Sequence, residues 1–145
     1  MTEKLVWDPL RKKNVPLTPE ERVRQWFISM LKEKMKVPEH MMMSEVGMKF
    51  GLGKVKKEFR ADIVVYDRRP GPVMIVECKR PDVELTGKVL EQALRYDMVL
   101  DVKYMALTNG ARTIFCMKRD DGRIALLDTP PTYMQMLGIK ELPAK

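Results

Sequence analysis

The chain has 145 residues, enough for one domain with a core of its own. Its 45% apolar and 32% charged residues are ordinary for a soluble globular protein, and one histidine with two cysteines and no CxxC excludes a structural zinc site. A net charge of +7 suits a polyanion partner such as nucleic acid, and equally a solvated basic surface with no ligand.

Residues 1–17 carry prolines at 9 and 16 and read as an arm or a short edge element. No apolar stretch there resembles a leader, and no run in the chain approaches 18 apolar residues, so a reduced cytoplasmic protein without membrane contact is expected. Thr18-Pro19-Glu20-Glu21 is a helix start: an N-cap, proline at the first position, acids in the first turn. Val23, Trp26, Phe27, Met30 and Leu31 then recur at helical spacing. Pro38 lies just past that helix.

A strand is predicted over 44–50, a hairpin turn at Gly51-Leu52-Gly53, and a second strand over 57–66. The glycine pair is no phosphate loop, because Walker A needs GxxxxGK[ST] and this stretch lacks it. A turn over 68–72 leads to a strand over 73–79 that is apolar on both faces, as a central strand should be. A helix over 86–100, a strand over 104–107, and a turn at Thr108-Asn109-Gly110 follow. Strands 113–117 and 124–127 pair around Asp120-Asp121-Gly122, and a short helix closes the chain near 131–137.

The acids at the strand ends carry the chemistry. Alternation puts Glu77 and Lys79 on one face and Cys78 on the other. Asp62 lies six residues before Arg68 and Glu77 five after Pro72, so a hairpin through that turn sets the two carboxylates level. Such a pair repels and calls for a cation, and hard oxygen ligands suit Mg²⁺ or Mn²⁺. A bound metal can activate water and stabilise charge on a phosphate, and an adjacent ammonium can assist. Taken singly, each of these residues reads as well as a solvated or ion-paired strand end.

The motif Asp62, fourteen intervening residues, then Glu77-Cys78-Lys79 resembles the PD-(D/E)XK nuclease superfamily. Further segments resemble the N-terminal nuclease domain of type I restriction enzyme R subunits: TPEERVRQWFISML, RADIVVYD, VECKRP, LEQALRY and ALTNG, between about residues 18 and 117. Ala61 stands where the superfamily's motif has proline. The resemblance implies a restriction-endonuclease-like α/β fold. Its central mixed sheet is flanked by helices, with an α-β-β-β-α-β core and an extra C-terminal hairpin, formed by residues 18–145 as one domain. It implies metal-dependent hydrolysis of DNA phosphodiesters with Mg²⁺ or Mn²⁺. Asp62, Glu77 and the Cys78 carbonyl would be ligands, Lys79 the catalytic lysine, and Gln92 a residue orienting it.

A first-helix acid would complete the metal site. Glu20 fits the spacing and the core-facing stripe, while Glu21 is expected to point away; both could simply favour the helix N-terminus. Gln92 and Tyr96 would share the apolar face of the second helix and contact DNA near the scissile phosphate. Lys57, Arg60 and Arg80, with Lys54 and Lys56, would hold the backbone. DNA is the expected partner, together with other restriction-modification subunits, and no small-molecule cofactor. The rival reading is a catalytically silent nucleic-acid-binding or assembly module of the same fold.

Overall fold

The structure is a computed structural model that describes residues 4–50 and 57–139, with the side chains of Phe50, Lys57 and residues 96–100 outside the description. The Gly51 to Gly53 turn, Lys54 and Lys56 lie outside the described residues.

The stretch expected as an arm or edge element forms a separate two-stranded antiparallel hairpin, β1 (Leu5–Asp8) and β2 (Lys13–Pro16). Helix α1 (Pro19–Glu33) starts as its sequence requires: the Thr18 hydroxyl accepts the Glu21 N–H at 3.1 Å and Pro19 occupies the first turn. After a 3-10 turn at Glu39–Met41 come β3 (Met42–Phe50), β4 (Lys57–Tyr66) and β5 (Pro72–Cys78). The β4–β5 turn is built by Asp67, whose carboxylate accepts the N–H groups of Arg69 and Gly71. Helix α2 (Gly87–Leu100) crosses to β6 (Tyr104–Thr108), and β7 (Thr113–Lys118), β8 (Ile124–Leu127) and a capped short helix α3 (Tyr133–Met136) complete the chain.

The sheet order is β3-β4-β5-β6-β7-β8. Only β5 and β6 pair in parallel, which is what a helical crossover between them imposes, so the sheet is mixed as expected. Alternation then assigns the two faces. Ile63, Val65, Met74, Val76 and Cys78 pack with Val23, Phe27 and Leu31 of α1. Val64 and Ile75, on the other face, pack with Val102, while Met105, Leu107 and Cys116 meet Leu85 and Ala93 beside α2. A sheet covered on both faces explains why β6 is buried at every position. Both cysteines are buried free thiols. Among the described residues no helix is long and apolar enough to cross a membrane.

Candidate active site

The β4–β5 ladder runs from the turn to the pair Ile63 and Val76. Continued one step further, that register sets Asp62 level with Glu77. There the ladder stops: the Cys78 N–H donates at 2.7 Å to the Asp62 carboxylate. Lys79 returns to the Glu77 face and its ammonium pairs with Glu77 Oε1 at 2.9 Å. Its backbone is fixed from the neighbouring strand, since the Lys79 N–H donates to the Thr108 carbonyl at 2.7 Å. The turn after Thr108 holds the connection downstream of Lys79: Asn109 binds the Val83 carbonyl at 2.9 Å, and Gly110 sits at φ +89, where glycine is favoured. The TNG segment therefore supports the lysine strand as well as turning the chain.

The electrostatics are uneven. Burial pushes Asp62 up to about 6, opposed by the Cys78 N–H and by Arg24, and reinforced by the charges of Glu20 and Glu77. Burial acts against the charge of Lys79, but its hydrogen bond to Glu77 and the charges of Glu77, Asp62 and Glu20 outweigh this and raise it above its ordinary value. Lys79 is therefore a cation at neutral pH. Burial raises the Cys78 thiol well above the usual range, so it is an inert core group.

Arg24, one turn into α1, is the central charge that sequence reading missed. Its guanidinium is 5% exposed and reaches Asp62 at 3.2 Å, Glu45 of β3 at 2.7 Å and Glu21 at 3.4 Å. Glu45 sits at φ +57 between the paired positions Ser44 and Val46, level with Asp62, and the β3–β4 register is the same on either side of it. Its carboxylate lies between Arg24 and Arg60, the latter at 3.0 Å. Lone acids and arginines in a helix or strand leave no periodic signal, so only the tertiary contact reveals this set.

The helix acids depart from the wheel. Glu21, expected to point away from the core, is 7% exposed and bound by Arg11 at 2.5 Å and Gln25 at 3.1 Å. The hairpin, invisible to a helical wheel, covers that side of α1. Glu20 is half-buried and is the acid whose charge acts on both Asp62 and Lys79. Gln92 was expected in an apolar stripe with buried partners; it is exposed, because α2 packs through Val89, Leu90, Ala93 and Leu94 instead. Among the described residues no hydrogen bond or ion pair joins Gln92 to Asp62, Glu77 or Lys79. The side chains of Tyr96 and Lys57 lie outside the description. Arg80 is 58% exposed and pairs with Asp82 at 3.3 Å.

Among the described residues no group of three or more His, Cys, Asp and Glu side chains is gathered closely enough to hold a metal ion. Asp62 and Glu77 form a two-carboxylate set with Glu20 nearby. Mg²⁺ is commonly held by one or two carboxylates plus water and substrate phosphates, and the residues present fit that mode.

Fold and site define an α/β protein with a mixed six-stranded sheet, in which Asp62, Glu77 and Lys79 lie at one end of β4 and β5. Residues 19–131 match the type I restriction enzyme R protein N terminus, and the chain belongs to that family. A fragment structure of a candidate HsdR subunit of a type I restriction enzyme from Vibrio vulnificus YJ016 superposes with a TM-score of 0.58 at 23% identity, over 86% of this chain and 27% of that one. The chain thus spans about a quarter of that fragment's length, and the likeness shows a shared fold. A candidate nuclease of the DUF820 group from Anabaena variabilis ATCC 29413 aligns over 90% of this chain and 81% of its own, at 16% identity and a TM-score of 0.47. No curated protein matches the chain.

Proposed function

We propose that the chain is a metal-dependent deoxyribonuclease domain of the type I restriction R-subunit kind, acting with other subunits of a restriction-modification system. The observation that carries this is the level pair Asp62 and Glu77 with the ammonium of Lys79 on Glu77. Asp62, Glu77 and the Cys78 carbonyl would hold Mg²⁺ or Mn²⁺, with Glu20 the nearer helix acid. When bound, the ion supplies Lewis acidity towards a phosphate and an acidified water. Lys79, held as a cation, stabilises charge developing on the phosphate and is no general base. Arg24 orients the Asp62 carboxylate, and the Thr108 carbonyl fixes the Lys79 backbone. Arg60 and Arg80 are exposed and contribute to backbone binding, with Gln92 and Tyr96 as further DNA-facing residues of α2.

The test is incubation of linear and circular DNA with Mg²⁺ or Mn²⁺ and with excess EDTA. Cleavage is expected only with metal, and cleavage that persists in EDTA overturns the metal mechanism. Lys79→Ala should lower turnover by about 10²-fold or more while calorimetry shows metal binding nearly intact, since Lys79 is not a ligand. A second reading is a silent binding or assembly module, favoured by the Arg24 pairing of Asp62 and by the absence, among the described residues, of a third gathered ligand. DNA binding without metal-stimulated cleavage at any salt or pH would select it.

A further inference from the structure

We propose that Glu45 is a positioning residue of the candidate site: it draws the Arg24 guanidinium off Asp62, so that Asp62 is free to take a divalent cation. The inference rests on the reading of Asp62 and Glu77 as metal ligands, and it adds a residue that sets the affinity of that pair without touching the ion.

Both oxygens of Asp62 are engaged. Oδ2 accepts the Cys78 N–H at 2.7 Å, and Oδ1 accepts from Arg24 Nη2 at 3.2 Å. The first partner is a neutral dipole. The second is a full cation, 5% exposed and therefore weakly screened. A metal ion approaching Asp62 meets that charge, and two cations then compete for one carboxylate. A buried guanidinium cannot retreat into water, so another anion has to take it. Glu21 is already engaged: it faces Nη1 at 3.4 Å and is held by Arg11 and Gln25. Glu45 meets the very nitrogen that holds Asp62. Its Oε1 lies 2.7 Å from Nη2, nearer than the Asp62 oxygen. Nε and Nη1 make no hydrogen bond among the described residues, so the hold of Arg24 on Asp62 runs through Nη2. One nitrogen between two carboxylates makes their claims an exchange: what Glu45 gains, Asp62 loses.

The backbone supports the same role. At φ +57 Glu45 is left-handed, a conformation that a glutamate within a strand adopts only at a cost. Glycine or asparagine would fill such a position more easily, so the carboxylate is what a glutamate there contributes. The pairs on either side, Ser44 with Ile63 and Val46 with Ala61, set Glu45 level with Asp62. Continuing the β4–β5 register sets Asp62 level with Glu77. Three acids thus stand in a row on adjacent strands, and the left-handed one is the one seated on two arginines. Arg60, 70% exposed, takes its Oε2 at 3.0 Å and leaves Oε1 to Arg24.

The test measures Mn²⁺ binding to the full chain by calorimetry, without DNA, so that affinity is read apart from cleavage. Asp62→Asn should abolish the binding and so identify the site. Glu45→Gln keeps the length of the side chain and removes its charge, and should weaken Mn²⁺ binding about 10-fold. In an Arg24→Met background the same Glu45→Gln change should alter affinity by less than about 2-fold, because no guanidinium is left to exchange. Where circular dichroism shows that Arg24→Met does not fold, Arg24→Lys takes its place. It keeps a cation among the acids but is shorter and has no Nη2, and Glu45→Gln should be equally silent in it. An equal loss of affinity with and without Arg24 overturns the proposal, since Glu45 would then act on the ion itself, as a ligand or through space. Unchanged affinity in Glu45→Gln also overturns it, and leaves the nuclease reading standing if Asp62→Asn still abolishes binding. A wild type that binds no Mn²⁺, or binding that survives Asp62→Asn, removes the metal site and this proposal together.

Discussion

The two parts of β4 obey different rules. From Ile63 to Val65 every side chain is fully buried, packed on α1 or on the opposite face, and paired in register with β5. At Asp62, one residue earlier, the ladder ends and a carboxylate takes over the Cys78 N–H that a strand partner would otherwise satisfy. The first part is stabilised by removing apolar area from water, which each residue does almost independently. The second consists of charges that are each costly alone and tolerable only together: Arg24 with Asp62, Glu45 and Glu21, and Lys79 with Glu77. The apolar part is a reason for the fold to exist. The charged part persists against its own desolvation, which is the pattern of a site maintained for chemistry.

The sharpest way to break this contrast is at Arg24. Methionine matches the length of the side chain and removes its charge. Asp62 would then lose its guanidinium partner, and Glu45 and Glu21 would each keep one, Arg60 and Arg11, on their outer sides. Arg24→Met should cost about 3–5 kcal/mol in denaturant unfolding, as much as a large cavity in the apolar core. A loss below about 1 kcal/mol would mean that water reaches these carboxylates and that the set is a surface cluster.

The same contrast explains how far the sequence could be read. Strands and helices with an apolar pattern were visible: β4 and β5 carry short continuous apolar runs, α1 repeats at 3.6 residues, and turn residues mark their ends. Asp62, Glu77 and Lys79 were placed together because strand alternation and hairpin length are arithmetic. Arg24 and Glu45 were not visible, because what brings them together is the packing of α1 against paired strands β3 and β4, which leaves no period. Glu21 was assigned to the wrong side of α1 because a wheel knows nothing of the hairpin that covers it. Gln92 was placed in the packed stripe because its spacing to Val89 fits a helix face, but the stripe that packs is Val89, Leu90, Ala93 and Leu94. Each miss is a contact between elements, and each success a pattern within one.

Asp62 allows a finer test of whether the charged end is held against its own cost. Its folded pKa of about 6 stands above its ordinary 3.8, so the fold favours the protonated carboxyl. Below about pH 4 the group is neutral in both folded and unfolded chains, and its contribution to stability is fully present. As pH rises through about 6 that contribution is lost. Asp62→Asn keeps the shape and stays neutral throughout. In EDTA the variant should melt with wild type near pH 4 and be more stable by up to about 3 kcal/mol at neutral pH, while losing metal-induced stabilisation. A variant less stable at neutral pH, with an unchanged metal-induced shift, would make Asp62 a structural partner of Arg24.

The smallest effect is expected where charge is not buried at all. Arg80 follows Lys79 directly, yet it is 58% exposed and its partner Asp82 is 70% exposed, at 3.3 Å. An ion pair in water gains little, because solvent screens it and two long side chains lose freedom, so Arg80→Ala should change stability by no more than about 0.5 kcal/mol. What the variant should lose is a phosphate contact. Each one releases about one counterion, so the log–log salt dependence of DNA binding should flatten by about 0.9. Measured beside Arg24→Met, this separates two uses of arginine within one sheet end: one holds the carboxylates in place and is seen in unfolding, the other meets the ligand and is seen only in binding. A salt slope unchanged by Arg80→Ala would assign Arg80 to the solvated surface and leave Arg60 as the exposed arginine expected to meet the DNA backbone.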